Sequence, residues 1–435
     1  MIKKSISFLS LACIGGSLLS CQTTKVKQEP GQELVLTNKA AIELTDKAIA
    51  VKRSSLSGIP DSAAFPLLLT QAGDTVASQL DDLDGDNQWD ELFFVTNLPA
   101  NGNQTLKLTW VTTQPDYTKR TSVRFGKRAG KKLPVQPQTS ETMLANQVHR
   151  ALGYQPYQTD GPSWENDKVG FRHYLDGRNA KDLFGKKVAY MSPDSVGISK
   201  TGAVEDNYHV MKDWGRDIMA VGSSAGIGGI EMMIDGKFPR LGITNNDTLN
   251  NVEKTTFRIV TEGPVRSKIQ IGYHNWKPAD TNRSYTLQES PTIWPGMYAY
   301  QNNVTVTEGL RGDETLLVGM NNLDPTFPLE EMPVDDNWMV VFTHDRETYN
   351  QEWMLPLALI VPKSAYQGYT EAPKTGPLAQ AYFAKLKVEQ NKPVTYYAVG
   401  TWEVSDERFK DLNYFKDYVR NLARQLSAEV EVQVK

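Results

Sequence analysis

The sequence predicts an all-β protein, in which a small β-sandwich subdomain precedes a large antiparallel β-sandwich that ends in a C-terminal helix. Two observations predict this fold class, and a third indicates that disulfides do not hold it together. Many short segments alternate apolar and polar residues between Gly, Asn and Asp clusters, the pattern of strands joined by turns. Helical spacing of apolar residues is concentrated late in the chain. With only 2 Cys in 435 residues, the fold must depend on its hydrophobic core.

The first 20 residues are predicted to be a secretory signal peptide. Lys3 and Lys4 form a positive segment, and residues 6–19 are apolar or small throughout, a stretch too short for a membrane-spanning helix. It ends in a Leu-Leu-Ser-Cys sequence that resembles a bacterial lipobox. We expect cleavage before Cys21 and lipidation of its thiol, the alternative being an ordinary signal peptide that ends near a cysteine.

A lipid anchor would place the protein in the cell envelope. Cys13 lies in the segment that is removed, so the mature chain keeps Cys21 alone. The next residue is Gln22 rather than Asp, which favours the outer membrane and leaves the periplasmic or surface face open. Residues 21–31 are otherwise polar and unpatterned and are expected to form a lipidated tether. The membrane contact is then through the anchor only.

The amino-acid composition limits the classes of binding partner. Lys and Arg number 47 against 51 Asp and Glu, a net charge of −4, which argues against the basic surface that binds nucleic acid. The chain has 9 Trp and 18 Tyr. Aromatic rings stack on the apolar faces of sugars, so this content suits an oligosaccharide partner, although most aromatic residues of a β protein serve its core.

Residues 32–115 are predicted to form the small sandwich, since short alternating segments follow one another between turns. These segments are 33–37, 48–52, 65–70, 91–96 and 104–111. The basic, Gly- and Pro-punctuated stretch 116–150 is interpreted as a crossover.

The large sandwich is assigned to residues 116–435. Its predicted strands are 168–174, 218–221, 229–234, 255–260, 267–273, 298–307, 314–318, 339–343, 357–361 and 395–399. Helices are predicted at 378–386 and 406–426, the second because its apolar residues recur at near-helical spacing.

An acidic turn lies in the small subdomain. Asp82, Asp84, Asp86 and Asp90 offer carboxylates at alternate positions of a short loop, an arrangement that suits a structural calcium ion. The same residues suit a hairpin turn whose Asp side chains bond to the backbone. No zinc-type histidine pair or phosphate loop occurs in the sequence, so no cofactor is required.

A second block runs from Trp164 to Tyr174. In a strand, Arg172 and Tyr174 share one face, opposite the apolar face that includes His173. Arginine binds carboxylates through two hydrogen bonds, and tyrosine can transfer a proton. The block therefore indicates either a site for a carboxylate-bearing substrate or a solvated outer face.

A third block is dense in titratable groups and contains Tyr208, His209, Asp213, Trp214 and Asp217. Histidine titrates near neutrality, so His209 with acidic neighbours could be an oriented general base. A surface histidine is the alternative. His149 is a reserve candidate for proton transfer.

The order of these blocks resembles the DUF4861 family of bacterial secreted proteins, found largely with polysaccharide-degradation genes. The resemblance is carried by 82–94, 163–172, 208–222 and 228–237 and extends over roughly 32–430. It implies a sandwich akin to galactose-mutarotase-like and polysaccharide-lyase proteins, and lyase or dehydratase activity on uronic-acid-containing oligosaccharides. The sequence departs from the family pattern at His173 and near Lys212 and Asp213.

The residues suit this chemistry. β-Elimination on a uronic acid needs a base for the C5 proton, an acid for the leaving oxygen and a cation for the carboxylate. We assign His209, Tyr174 and Arg172 to these roles. The remaining candidates are Trp164 and Trp214 as stacking platforms, and Glu165, Asn166, Asp213 and Asp217 as groups that bind hydroxyls or orient the histidine. A glycan-binding lipoprotein and a mutarotase or epimerase are the alternatives.

Overall fold

The computed structural model describes residues 31–60, 64–149, 154–192, 194–243, 249–279, 281–323 and 325–435. The predicted signal peptide, Cys21 and nearly all of the tether lie outside the described residues. Within the described ranges, no helix has the length and apolar character needed to cross a membrane. Antiparallel sheets and a single α-helix make up the described chain, which confirms the all-β prediction.

The strands are β1 (Gln32–Asn38), β2 (Leu44–Lys52), β3 (Phe65–Thr70), β4 (Thr75–Val76), β5 (Ser78–Asp81), β6 (Glu91–Leu98), β7 (Asn103–Val111), β8 (Thr121–Arg124), β9 (Gly126–Lys127), β10 (Gln136–Pro137), β11 (Ser140–Leu144), β12 (Ser163–Asn166), β13 (Val169–His173), β14 (Lys181–Lys186), β15 (Gly215–Asp217), β16 (Ile230–Met233), β17 (Val252–Glu262), β18 (Ser267–Trp276), β19 (Tyr285–Glu289), β20 (Thr292–Ile293), β21 (Ala299–Glu308), β22 (Thr315–Asn321), β23 (Glu330–Pro333), β24 (Trp338–Thr343), β25 (Leu357–Pro362), β26 (Tyr366–Glu371), β27 (Ala381–Lys387), β28 (Val394–Gly400) and β29 (Val430–Val434). The helix α1 is Leu412–Ser427, and single 3-10 turns occur at Arg53–Ser55, Gln158–Asp160, Tyr349–Gln351 and Glu407–Lys410.

The small sandwich contains a strand from the far end of the chain. One of its sheets has the order β29-β1-β7-β3-β4 and the other β2-β6-β5. Leu34 of β1 lies opposite Val434 of β29, and the residues between the sheets form one apolar core that includes Leu36, Leu106 and Phe94. The predicted subdomain at 32–115 is therefore completed by residues 430–434, which the sequence analysis placed in the large sandwich.

The large sandwich is built on a ten-stranded sheet with the order β11-β17-β18-β19-β21-β28-β25-β24-β23, in which β20 pairs with β18 and β21. Two smaller sheets, β15-β14-β13-β12-β8 and β16-β22-β27-β26, share one core with it. Trp164 of β12 meets Tyr300 of β21 edge-on at 5.3 Å, and Phe171 of β13 meets the same ring at 4.6 Å. Large aromatic side chains thus join the layers.

The C-terminal helix covers the other face of the ten-stranded sheet. Asp411 caps α1, because its side chain accepts a hydrogen bond from the backbone amide of Tyr414 at 2.7 Å. The apolar side of α1, including Phe415 and Val419, packs in one cluster with Phe342 of β24. This confirms the helix predicted at 406–426, which begins six residues later than expected.

Three sequence predictions were wrong. Residues 381–387 form β27 rather than a helix, because the strand is buried on both faces and has no period-two signal. The stretch 116–150 contains four short strands, β8–β11, instead of a plain crossover. Residues 218–221 make one isolated bridge, and the strand lies just before them, where Gly215 packs against Gly185 without room for a side chain.

Candidate active site

The predicted stacking platform Trp164 belongs to the core. Its side chain is 1% exposed and stacks on Phe171 at 6.1 Å, so its ring cannot meet a substrate. Glu165 is also buried, where it accepts hydrogen bonds from Ser192 and pairs with Lys186 at 3.0 Å. Both residues therefore belong to the protein interior, and neither binds a substrate as we expected.

Asn166 and Asp167 clamp a loop. Asn166 donates from Nδ2 to the carbonyls of Trp294 and Met297, both at 2.8 Å, and its Oδ1 accepts two backbone hydrogen bonds from the turn into β13. Asp167 accepts from the amide of Gly296 at 2.9 Å. Asn166 is fully buried. It therefore positions the loop 294–297 and does not bind a substrate hydroxyl as we expected.

Replacing Asn166 with Ala is expected to lower the free energy of unfolding by about 2 kcal/mol or more, since buried donors and acceptors lose their partner. Urea denaturation followed by circular dichroism measures this loss. The exposed Asn413 on α1 is a matched control, because its replacement by Ala removes an amide that is not buried. Equal stability of the two variants would contradict the clamp.

Arg172 lies at the centre of a buried polar network. Its side chain is 1% exposed, and its Nη2 lies 2.5 Å from Asp182 Oδ2 and 2.7 Å from Asp217 Oδ2. Its Nη1 donates to the Tyr208 hydroxyl at 3.0 Å. Tyr174 donates from its hydroxyl to Asp182 at 2.6 Å. The guanidinium of Arg172 is thus fully bonded to protein groups and cannot bind a substrate carboxylate as predicted. Tyr174 is buried as well, so it cannot donate a proton to a substrate.

His209 is where this network reaches solvent. The side chain is 39% exposed, while the Asp217 carboxylate behind it is fully buried. Nδ1 lies 3.3 Å from Asp217 Oδ2, and Nε2 lies 2.9 Å from Asp206 at the surface. The Asp217 carboxylate raises the pKa of His209 above its ordinary 6.5. Burial, with the charge of Asp182, raises the pKa of Asp217 to about 6. The structure therefore brings His209, Asp217 and Arg172 together, but Arg172 pairs with carboxylates of the protein and not with a substrate carboxylate as we predicted.

Tyr349 also belongs to this site, and sequence reasoning missed it. Its ring meets that of His209 edge-on at 5.4 Å. Burial and the charges of Asp217 and Asp182 raise the pKa of Tyr349, which keeps its hydroxyl protonated. Tyr349 is far from His209 in sequence, and no local pattern around it indicates this contact.

Two strained turns flank the network. Thr159 (φ 50°) and Asp160 (φ 62°) adopt left-handed conformations next to Arg172, which contacts both. Asn350 (φ 56°) and Gln351 (φ 53°) do so directly after Tyr349. Such backbone costs energy and is often concentrated at functional sites.

The other predicted residues are not joined to His209 by such contacts. Trp214 is 9% exposed and packs edge-on against Phe184 at 6.0 Å, which leaves little of its ring for stacking on a substrate. Asp213 is exposed to solvent. The ring of His149 packs with those of Tyr154 and Tyr157. Burial, with the charge of a nearby lysine, lowers the pKa of His149.

In the acidic turn, one oxygen each from Asp82, Asp84 and Asp86 lies within 4.8 Å of the others. Asp90 is not part of this group and accepts from the Leu83 amide at 2.6 Å, closing the base of the loop. The three clustered carboxylates also accept backbone hydrogen bonds within the loop. A calcium ion at this turn stays a prediction.

The fold and site define a β-sandwich protein with a buried arginine–aspartate network that ends in a half-exposed histidine. Over residues 36–432 the chain matches the family described as "Domain of unknown function (DUF4861)". The chain belongs to this family, which confirms the predicted resemblance.

One curated relative is "Uncharacterized protein P7" of Formosa agariphila, 28% identical over 298 residues that cover 64% of this chain and 68% of the relative. Among solved structures, a protein of glycosyl hydrolase family 38 from Enterococcus faecalis matches with a TM-score of 0.46 and 11% identity, over 93% of this chain and 48% of that one. An alpha-mannosidase from Enterococcus faecalis V583 matches with a TM-score of 0.45 and 11% identity, over 93% and 46%. The chain spans about half the length of these solved structures.

Proposed function

We propose that this protein is a carbohydrate-active lyase or dehydratase that performs β-elimination on uronic-acid-containing oligosaccharides, with His209 as the base. The observation that carries the proposal is the geometry of His209, a half-exposed imidazole whose Nδ1 lies 3.3 Å from the buried Asp217 carboxylate. The other nitrogen, Nε2, lies 2.9 Å from the exposed Asp206 carboxylate, so a substrate must displace Asp206 before Nε2 can accept its proton. The sugar class comes from the family resemblance, and the high aromatic content is compatible with it.

In the proposed reaction, His209 Nε2 takes the C5 proton, the C4–C5 double bond forms and the C4–O bond breaks. The departing oxygen takes up a proton. A departing sugar makes the enzyme a lyase, and a departing hydroxyl, lost as water, makes it a dehydratase. Asp217 stabilises the imidazolium that forms, because its carboxylate lies 3.3 Å from Nδ1.

Tyr349 takes the acid role that the sequence analysis gave to Tyr174. Tyr349 borders the exposed base, and its raised pKa keeps the proton available. Arg172 acts from inside the protein. By binding Asp182 and Asp217 it holds the carboxylate that orients His209.

The rate of elimination is expected to fall as pH decreases through the pKa of His209, because the protonated imidazole cannot accept a proton. The acidic limb should lie above pH 6.5, since the Asp217 carboxylate raises this pKa. In an Asp217→Asn variant the limb should move to lower pH, because the neutral amide no longer favours the imidazolium. The pH profile of kcat/KM measures both. An acidic limb that stays in place in Asp217→Asn would contradict the coupling.

Ultraviolet absorbance separates the proposed activity from its alternatives. Incubation with uronic-acid oligosaccharides should raise the absorbance as the C4–C5 double bond forms. Binding without absorbance would indicate a glycan-binding lipoprotein instead, and an anomeric or stereochemical change without absorbance would indicate a mutarotase or epimerase. Lipidation at Cys21 and attachment to the outer membrane stay predictions, and they would place the enzyme where oligosaccharides enter the envelope.

A further inference from the structure

A second buried polar cluster lies between the layers of the large sandwich. Its members are Lys181 of β14, Glu289 of β19 and Asn302 of β21, and all three side chains are fully buried. β14 belongs to a small sheet, whereas β19 and β21 belong to the ten-stranded sheet. Lys181 directly precedes Asp182, but alternation along the strand directs its side chain to the other face. The cluster therefore spans two layers and is separate from the network around His209.

We propose that this cluster is the site of a self-catalysed covalent modification, in which Lys181 and Asn302 form an isopeptide bond between the two layers. The reaction needs an amine, a carboxamide and an acid–base group in contact, and the cluster contains one of each. The site goes beyond the proposed function, because its chemistry uses none of the residues around His209.

Glu289 brings the two reacting side chains together. Lys181 Nζ and Asn302 Nδ2 both lie 2.7 Å from the same carboxylate oxygen, Glu289 Oε2. Nζ also donates to Glu289 Oε1 at 2.8 Å. The Tyr273 hydroxyl donates to Oε1 at 2.7 Å and helps to hold the carboxylate in place. Groups that a folded protein keeps in contact react much faster than the same groups free in solution.

The amide of Asn302 has a bonded nitrogen and a free oxygen. Nδ2 donates to the Tyr396 hydroxyl at 2.8 Å, and that hydroxyl donates to the carbonyl of Gly228 at 2.6 Å. Oδ1 is buried and has no hydrogen-bond partner among the described residues. A buried carbonyl oxygen without a donor is unfavourable. Oδ1 is therefore available to accept the proton of the Glu289 acid when the amide carbon is attacked.

The reaction balances within the cluster. Proton transfer across the 2.7 Å contact gives a neutral Lys181 amine and a neutral Glu289 acid, and burial favours neutral groups over charged ones. A desolvated lysine amine is a good nucleophile. It attacks Cγ of Asn302, so that the Nζ–Cγ bond forms, the Cγ–Nδ2 bond breaks, and its electron pair leaves with ammonia. Glu289 transfers one proton from Nζ to Nδ2 and ends as a neutral acid.

The bond supplies a covalent link between layers that the chain does not obtain from disulfides. The sequence has only 2 Cys, and we expect one to be removed and the other to be lipidated. Joining residues 181 and 302 closes a long loop of the unfolded chain. Cross-links that close long loops stabilise a fold more than those that close short ones.

The other buried lysine–glutamate pair is an internal control. Lys186 lies 3.0 Å from Glu165, and both are buried. Glu165 accepts hydrogen bonds from Ser192, and in the part of the chain that the structure describes no asparagine side chain is bonded to it. An amine and an acid are present there without a carboxamide, so no bond should form at Lys186.

The test is a tryptic peptide map of the purified full-length chain by mass spectrometry. The segments that contain Lys181 and Asn302 should appear as one branched peptide, lighter by one ammonia than the two separate peptides together. Trypsin should cleave after Lys186 but not after Lys181, because it does not cleave at an acylated lysine. Glu289→Gln should give the two separate peptides, since the amide cannot transfer the proton. His209→Ala should keep the link, so that failure of the catalytic proposal and failure of this one are distinguishable.

The map of the wild-type chain decides the proposal by itself and does not depend on how well a variant folds. If the folded wild-type chain gives the two segments only as separate peptides, the proposal is overturned. A link that persists in Glu289→Gln would overturn the role of Glu289 in forming it. Circular dichroism checks that each chain is folded.

Discussion

Replacing His209 with Ala is expected to lower kcat/KM for β-elimination by about 10²- to 10⁴-fold, the contribution of a positioned general base. The side chain is 39% exposed, so its removal creates little cavity and the fold should be kept. Initial rates of ultraviolet absorbance measure the loss, and thermal unfolding checks that the variant is folded.

A second histidine provides the control for this experiment. His274 lies on β18, where its Nε2 is 3.2 Å from the Thr256 hydroxyl, and it has no part in the network of Arg172. His274→Ala should keep the wild-type rate. If His209→Ala also kept the full rate on a substrate that the wild-type protein converts, His209 would not be the base.

Replacing Arg172 with Met is expected to lower the free energy of unfolding by about 3–5 kcal/mol. The substitution leaves Asp182 and Asp217, both fully buried, without the guanidinium that they share. Two desolvated like charges are unfavourable, and methionine cannot replace the hydrogen bonds to either carboxylate. Urea denaturation measures the loss.

The exposed pair of Arg408 and Asp406 is the matched control. The pair is as close, at 2.6 Å, but the arginine side chain is 67% exposed. Arg408→Met should cost no more than about 1 kcal/mol, since solvent screens the pair. Similar losses in the two arginine variants would show that the buried network does not carry the stability we assign to it.

Most strands could be predicted because one face of each is buried and the other is not. β18 illustrates this, as Ile269, Ile271 and Tyr273 point into the core while Lys268 and Gln270 are partly exposed. β27 could not be predicted, since both of its faces are buried and alternation is lost. The pairing of β29 with β1 joins opposite ends of the chain, and no local pattern carries such a contact.

The candidate active site was also predicted only in part. The density of titratable groups between Tyr208 and Asp217 indicated the position of His209 and its carboxylate partner. The exposure of Arg172 and Tyr174 could not be judged, because alternation predicts two faces of a strand but not whether a further layer covers both. β13 is buried on both faces. Arg172, which we predicted to bind a substrate carboxylate, therefore belongs to an internal ion network.

The sequence by itself determined the all-β class, the terminal helix, the family and the block that contains His209, because these depend on local periodicity and on short motifs. Only the tertiary structure decided which polar residues reach solvent, that Tyr349 lies beside His209, and that Asn166 and Asp167 hold the loop 294–297. Burial and long-range contacts depend on how the layers stack, and neighbours in space such as Asn166 and Trp294 are far apart along the chain.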